Sequence, residues 1–421
     1  MSISQNFPNT RPSLNLNFAR SKTLDPRITF SRTSAGTYVD DNGLVVTAAA
    51  DEPRFDHDPE TGECLGLLVE EQRKNFATYS EDFTQWTNTN TTDAIDTSIT
   101  APDGTNTATK ITDDSTNAAH NVKFVFTTDS SDTFTLSCFV KKGDFSYFVM
   151  VLRMAANSEN VYATFDFDNP SNNTTYGNGT NRSQTVTEYP NEWYRISLTS
   201  TFGAAVTDVT PHIHLTDSSG TISYSGSGNY NYIWGAQLES GSFSTSYIPT
   251  SGSTFTRNPD NVSMTGDNFS DWYNQSEGSF YMNIRNIQQQ PTGGAYTRLI
   301  DLRGTPTGDN YYLLAVVPNS RAIYNEMKSN GSSQFNYSAT YPVPNSPTGM
   351  VKITVGLQQN NVIAYNFASQ FLSDTTVTLP ILNSLYIGRD AGGGSQPNGH
   401  ISQLTYYPVR LPNSTLQTLT K

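Results

Sequence analysis

Asp166 and Asp168 are the first residues whose types and spacing could do chemistry. Alternate strand positions share a face about 7 Å apart, which suits a carboxylate pair working on a glycosidic bond. Asn169-Pro170 follows at once, so we read the two as solvated charges at a strand end. His57 lies between Asp56 and Asp58. A metal or acid-base role is one reading. No G-x-S-x-G elbow accompanies it, and we take it as turn polarity. His212 and His214 alternate and could ligate a metal as a pair; a third ligand is not identifiable, and a structural role is expected. The oxygen-rich turn Asp40-Asp41-Asn42-Gly43 lacks an EF-hand spacing and reads as plain turn chemistry. The concanavalin A-like glycosidase string Glu-x-Asp-x-x-Glu does not occur. The sequence therefore predicts no catalytic residue, no metal and no cofactor.

Aromatic faces beside polar groups are the chemistry of sugar binding. Tyr224, Tyr230 and Tyr232, in the segment YSGSGNYNY, and Trp86 are the candidate glycan contacts. Tyr311, Tyr312, Tyr337 and Tyr341 compete with them further on. Trp193 and Trp234 sit inside apolar strands and read as core.

The chain has 421 residues and a formal net charge of -13. That charge repels polyanions, so nucleic acid is excluded as a partner. Only 15% of residues are charged and 35% are hydrophobic. Asn, Ser, Thr, Gly and Tyr make up much of the rest, as strands and polar turns require. No apolar run is long enough to span a bilayer, and the first residues lack a signal peptide's basic and apolar regions. The expectation is a protein that folds in the cytoplasm where it is made, without membrane insertion. Cys64 and Cys138 are read as inert thiols.

These elements predict an all-β chain: an N-terminal strand-and-loop module over 1–76, a jelly-roll sandwich over 77–256 and a second sandwich over 262–421. In the first part, Leu14 to Phe18 alternates as a half-buried strand does. Asn42-Gly43 predicts a type I′ hairpin between Thr37–Val39 and Leu44–Thr47. With few apolar residues, this part should need a partner surface, and residues 77–421 should fold without it. In the jelly roll, strands are predicted at 108–112, 121–127, 133–141, 147–152, 162–166, 193–200, 210–216 and 232–239. Residues 251–258 read as a small polar linker. Leu416 and Leu419 predict a short helix folded back on the last sheet.

Arg27 to Phe76 carries a denser signature. It runs Phe30-Ser31-Arg32, Gly36-Thr37-Tyr38-Val39-Asp40, Thr47-Ala48-Ala49-Ala50, Pro53-Arg54-Phe55-Asp56-His57-Asp58-Pro59, Thr61-Gly62-Glu63, Leu65-Gly66-Leu67-Leu68, Glu70-Glu71, Arg73 and Asn75. It resembles a module of tailed-phage virion proteins, especially tail-fibre or surface proteins. The next part resembles a carbohydrate-binding-module jelly roll in Asp103-Gly104, Phe134–Lys141, Glu192–Ile196 and Ile233–Glu239. The last resembles a concanavalin A-like (laminin-G-like) domain in Gly399–Tyr407 and Pro412–Leu419. The resemblance implies a non-enzymatic virion structural protein, a tail-fibre-like appendage with host-glycan adhesion domains. A capsid decoration or head-fibre protein is the alternative, and a polysaccharide depolymerase the lesser one. It implies other virion proteins and host surface glycans as partners, and a homo-oligomer, a trimer by analogy. Tyr38, Arg54, Phe55 and His57 are then the candidate virion-attachment residues.

Overall fold

The computed structural model describes residues 10–154, 159–218, 221–288, 296–305, 308–317, 322–339 and 349–421. It is all-β, with antiparallel sheets throughout. Tyr341 lies outside the described residues.

Two sheets enclose the larger core. One runs Ser369–Asp374, Val362–Asn366, Val351–Gln358, Glu277–Arg285, Gly399–Tyr407, Cys64–Val69, Phe55–His57. The other runs Thr29–Ser31, Asn261–Thr265, Ser384–Ile387, Thr297–Arg303, Tyr311–Val316, Ile323–Ser329, Ser332–Ala339. The opening part of the chain is thus built into the second sandwich instead of standing apart. Leu14–Leu16 and Cys64–Val69 lie one after the other along the same strand. Leu14 pairs with Tyr406 and Leu16 with Leu404, while Leu67 pairs with Ile401 and Val69 with Gly399. Leu14, Leu16, Phe18, Leu67 and Val69 are fully buried in its core. The physical reason is simple: a few alternating apolar residues cannot make a core, but they can complete one. At the far end, Asn413–Leu419 is helical, and Leu416 packs against Ile363, Tyr365 and Tyr407.

The first sandwich leaves this frame and returns to it through a stem. Arg73–Asn75 pairs with Phe255–Arg257, and Tyr79 bridges to Ser251. The linker predicted at 251–258 therefore contains a strand. Within the sandwich, the 24-residue strand Trp193–Thr216 belongs to both sheets. Its first half lies between Thr180–Tyr189 and Phe126–Lys141. Its second half lies between Tyr147–Met154 and Asn117–Lys123. Phe134, Leu136, Phe148, Met150, Ile196, Leu198 and Ile213 fill the space between the sheets.

A buried ion cluster ties the parts together. Arg54 Nη2 lies 2.5 Å from Asp260 and its Nη1 2.7 Å from Glu70. Arg32 reaches the other oxygen of Asp260 at 3.1 Å, and Arg257 lies 3.5 Å from Glu70. Glu70 also accepts hydrogen bonds from the backbone and hydroxyl of Ser246. Each of these charged side chains is at most 5% exposed.

The hairpin at Asn42-Gly43 forms, with Gly36–Val39 against Val45–Ala48. Its turn is not type I′, because only Gly43 has a positive φ, 78°. Asp40 takes over part of the turn, its carboxylate accepting from the backbone N–H groups of Asn42 and Leu44.

Candidate functional site

Most of the residues singled out from the sequence are interior. Trp86 is 4% exposed, packs tilted against Phe83 and edge-on to Phe126, and donates to the Tyr79 carbonyl. Tyr224 is buried and donates its hydroxyl to Asp113. Tyr232 is buried with its hydroxyl on Asp96. Tyr230 is half-buried, its ring face taken by the Lys110 ammonium at 3.6 Å. The expected tyrosine patch is thus split between two cores and presents no open ring for a sugar. Arg54 is fully buried in the ion cluster, and Phe55 packs against Phe18 and the second core. Arg54 is therefore closed to solvent, whereas Phe55 is only partly covered.

Asp166 and Asp168 are used locally. Asp166 accepts from the backbone of Asp168 and Asn169 and from Asn172; Asp168 accepts from Lys142 and Ser146. Among the described residues, no group of three or more His, Cys, Asp or Glu side chains is gathered as for a metal ion. Burial pushes the Cys138 thiol up to about 12, and both cysteines are free.

The structure instead assembles a sheet face that sequence reading missed. Alternation turns Val122, Met150, Ala163, Ile213 and Leu215 into the core of the first sandwich. Their neighbours face the other way. Across that outer face the register sets Lys123 beside His212, His212 beside Val151, Val151 beside Tyr162, and Tyr162 beside Tyr176. The rings of Tyr162 and Tyr176 lie parallel, 4.8 Å apart at 3°. Tyr176 is 38% exposed. His212 and His214 are likewise parallel, 5.6 Å apart. Arg153 is exposed on the same face, one row on. Burial lowers His212 to about 4, helped by the charges of Lys123 and Arg153. Burial lowers His214 to about 3, helped by His212 and Lys123. A local cationic field therefore sits on a strongly acidic chain.

A second feature lies between the sandwiches. A cleft of about 490 Å³ is lined by Tyr38, His57, Asp58 and His400 on one side and by Ser183, Thr185 and Arg195 on the other. Tyr38 and His57, predicted as attachment residues, thus meet here. His57 is 5% exposed and its Nδ1 lies 3.0 Å from the Val39 carbonyl. His400 Nε2 lies 2.7 Å from Asp56.

No family model matches the chain. No curated protein matches it either. Among solved structures, the chain is similar to the CBM40 of the Ruminococcus gnavus IT-sialidase, at 12% identity and a TM-score of 0.30, over 35% of this chain and 84% of that one. It is similar to the binding domain of botulinum neurotoxin DC in complex with SialylT, at 14% identity and a TM-score of 0.29, over 38% and 39%. The LG1-3 region of the laminin alpha2 chain gives 10% identity and a TM-score of 0.25, over 71% and 66%. At these scores none of the three carries an argument about this chain.

The two lowered histidines give a pH expectation. Unfolded histidine takes up its proton near pH 6.5, whereas the folded pair resists to about 4 and 3. The unfolded chain then binds more protons, so stability is full above pH 6.5 and falls as pH drops toward 4. Tm measured between pH 7 and 4.5 should fall, and less steeply in the H212N/H214N double variant. Equal slopes would show that the pair does not titrate this way.

Proposed function

We propose that this protein is a non-enzymatic glycan-binding surface protein of a tailed-phage particle. The Tyr162–Tyr176 pair on the outer sheet face, with Tyr176 exposed and Tyr162 half-buried beside it, carries the binding part of that reading. A sugar ring offers apolar C–H groups to such a face and hydroxyls to the groups around it. Arg153 is the diagonal neighbour of Tyr162 across the strand pair and would reach an acidic substituent of the sugar, while Lys123 lies three strands further along the same face. The virion part rests on the resemblance of Arg27 to Phe76. There the structure adds a reason for the motif: its Arg32, Arg54 and Glu70 are three members of the buried clasp.

The test has two arms. On a glycan array the intact chain should bind a subset of acidic glycans, and the Y162A/Y176A variant should lose about tenfold in affinity for them, in line with the worth of one aromatic contact. Unchanged binding by that variant would remove the face from consideration. Gold-labelled antibody against the protein should decorate purified particles of the host phage. Unlabelled particles would leave a glycan-binding protein without the virion role.

A further inference from the structure

We propose that the cleft between the two sandwiches is a second saccharide site, one that takes a neutral, hydroxyl-rich sugar. It is separate from the tyrosine face and stands or falls without it. The argument starts from the run Ser183-Gln184-Thr185-Val186-Thr187. In a strand the alternate residues share a face, and Ser183, Thr185 and Thr187 all line the cleft. The register sets Thr199 beside Ser183, Ser197 beside Thr185, and Arg195 beside Thr187. Behind this lining, the fully buried Thr135 lies beside Thr199 and the fully buried Ser137 beside Ser197. The wall is thus a lattice of short hydroxyl side chains. Packed layers sit about 10 Å apart, and Ser and Thr are too short to fill such a gap. The hollow exists because of this composition.

The facing wall supplies acceptors. A carbonyl only accepts, so His57 Nδ1 carries the proton toward Val39, and Nε2 is left as an acceptor with no partner. His400 Nε2 is taken by Asp56, and Nδ1 has no partner. Buried polar atoms without partners are costly; both nitrogens are covered by protein, and a small turn of the rings would bring them to a ligand hydroxyl. Arg195 Nε on the opposite wall also lacks a partner, and it is a donor.

The chemistry of this lining selects the ligand. Each Ser or Thr hydroxyl both donates and accepts, as does each hydroxyl of a sugar. The lattice hydroxyls pair with one another, Thr185 with Ser197 and Thr135 with Thr199, and each keeps capacity for a second contact, which a hydroxyl ligand uses and an apolar one does not. An anion would meet Asp56 and Asp58 along the lining, against Arg195 as the cation there; Glu70, also in the lining, is taken up by Arg54 and Arg257. Tyr38 and Phe243 in the lining give the apolar area a sugar ring needs. The volume falls within the roughly 300–1,000 Å³ of small-molecule pockets, enough for a short oligosaccharide.

The experiment uses the full chain on an array of neutral and acidic glycans, followed by calorimetric titration of the neutral hits. Thr185 is exposed on an edge strand, so T185W fills the cleft from its rim. Neutral-glycan affinity should fall by about tenfold or more in T185W, at unchanged Tm, and stay at the wild-type value in Y162A/Y176A. T187W, on the same wall, should repeat the loss if T185W alters Tm. The proposal is overturned if both tryptophan variants bind neutral glycans as the wild type does. It is equally overturned if neutral binding disappears with the tyrosines, or if no neutral glycan binds at millimolar concentration.

Discussion

A chain that begins at residue 77 will be insoluble or molten, with no cooperative thermal transition for the second sandwich. The deletion removes Leu14, Leu16, Phe18, Leu67 and Val69 from its core. Fully burying one such side chain contributes about 1.5–3 kcal/mol. Five of them are comparable with the whole stability of a domain, about 5–15 kcal/mol. The deletion also bares one edge of Gly399–Tyr407, where two strands had paired, and open edges template aggregation. Arg257 and Asp260 lose Glu70, Arg32 and Arg54. Circular dichroism melts and dye binding would follow the truncated chain. Co-expression of residues 1–76 as a separate piece should restore a soluble complex. A truncated chain with a wild-type melt would mean that the second core does not need the N-terminal strands. This expectation replaces the sequence-based one, in which 77–421 folds alone.

Replacing Arg54 by methionine should cost about 3–5 kcal/mol, the range for breaking a buried ion pair from one side. Glu70 and Asp260 would stay buried without the guanidinium that bridges them. Denaturant titration reads the loss directly; a change within about 0.5 kcal/mol, as at an ordinary surface position, would show that the clasp is not a clasp. The cluster also predicts an acid limb. Burial pushes the Glu70 carboxyl up, but Arg257, Arg54 and the Ser246 hydrogen bonds outweigh it and hold the group well below the usual carboxylate range. A depressed folded pKa adds stability that is present above the unfolded value near 4.5 and is lost as pH falls below it. This window lies beneath most of the histidine one, so the two can be separated in one pH series.

Strands with apolar alternation were legible, and so were the Asn42-Gly43 hairpin and the Leu416 helix. What escaped has a common cause. Thr180–Tyr189 and Thr174–Gly177 are strands with almost no apolar residue, because they lie at sheet edges. Pattern reading follows apolar residues and passes over a row of hydroxyls. Residues 193–200 and 210–216 read as two strands, since Gly203, Ala204 and Ala205 between them are poor strand formers; paired neighbours keep the whole stretch extended. The alternation at Leu14 was visible, yet its partner lies almost the whole chain away. Arg54 looked like a surface residue because a buried charge is betrayed only by its partners, and Asp260 is 206 positions distant. The tyrosine face was missed for the same reason: Tyr162 and Tyr176 meet only across a strand pair.

The stem at Arg73–Asn75 and Phe255–Arg257 has one more consequence. The chain enters and leaves the first sandwich at neighbouring points of one small ladder, so the first sandwich is an insertion within the second. An insertion of this form is a cassette. Another domain with close termini could be spliced in at the same two strands, and the frame around Gly399–Tyr407 would keep its register. Cassette and frame could then diverge at different rates, the one changing its loops while the other keeps its core.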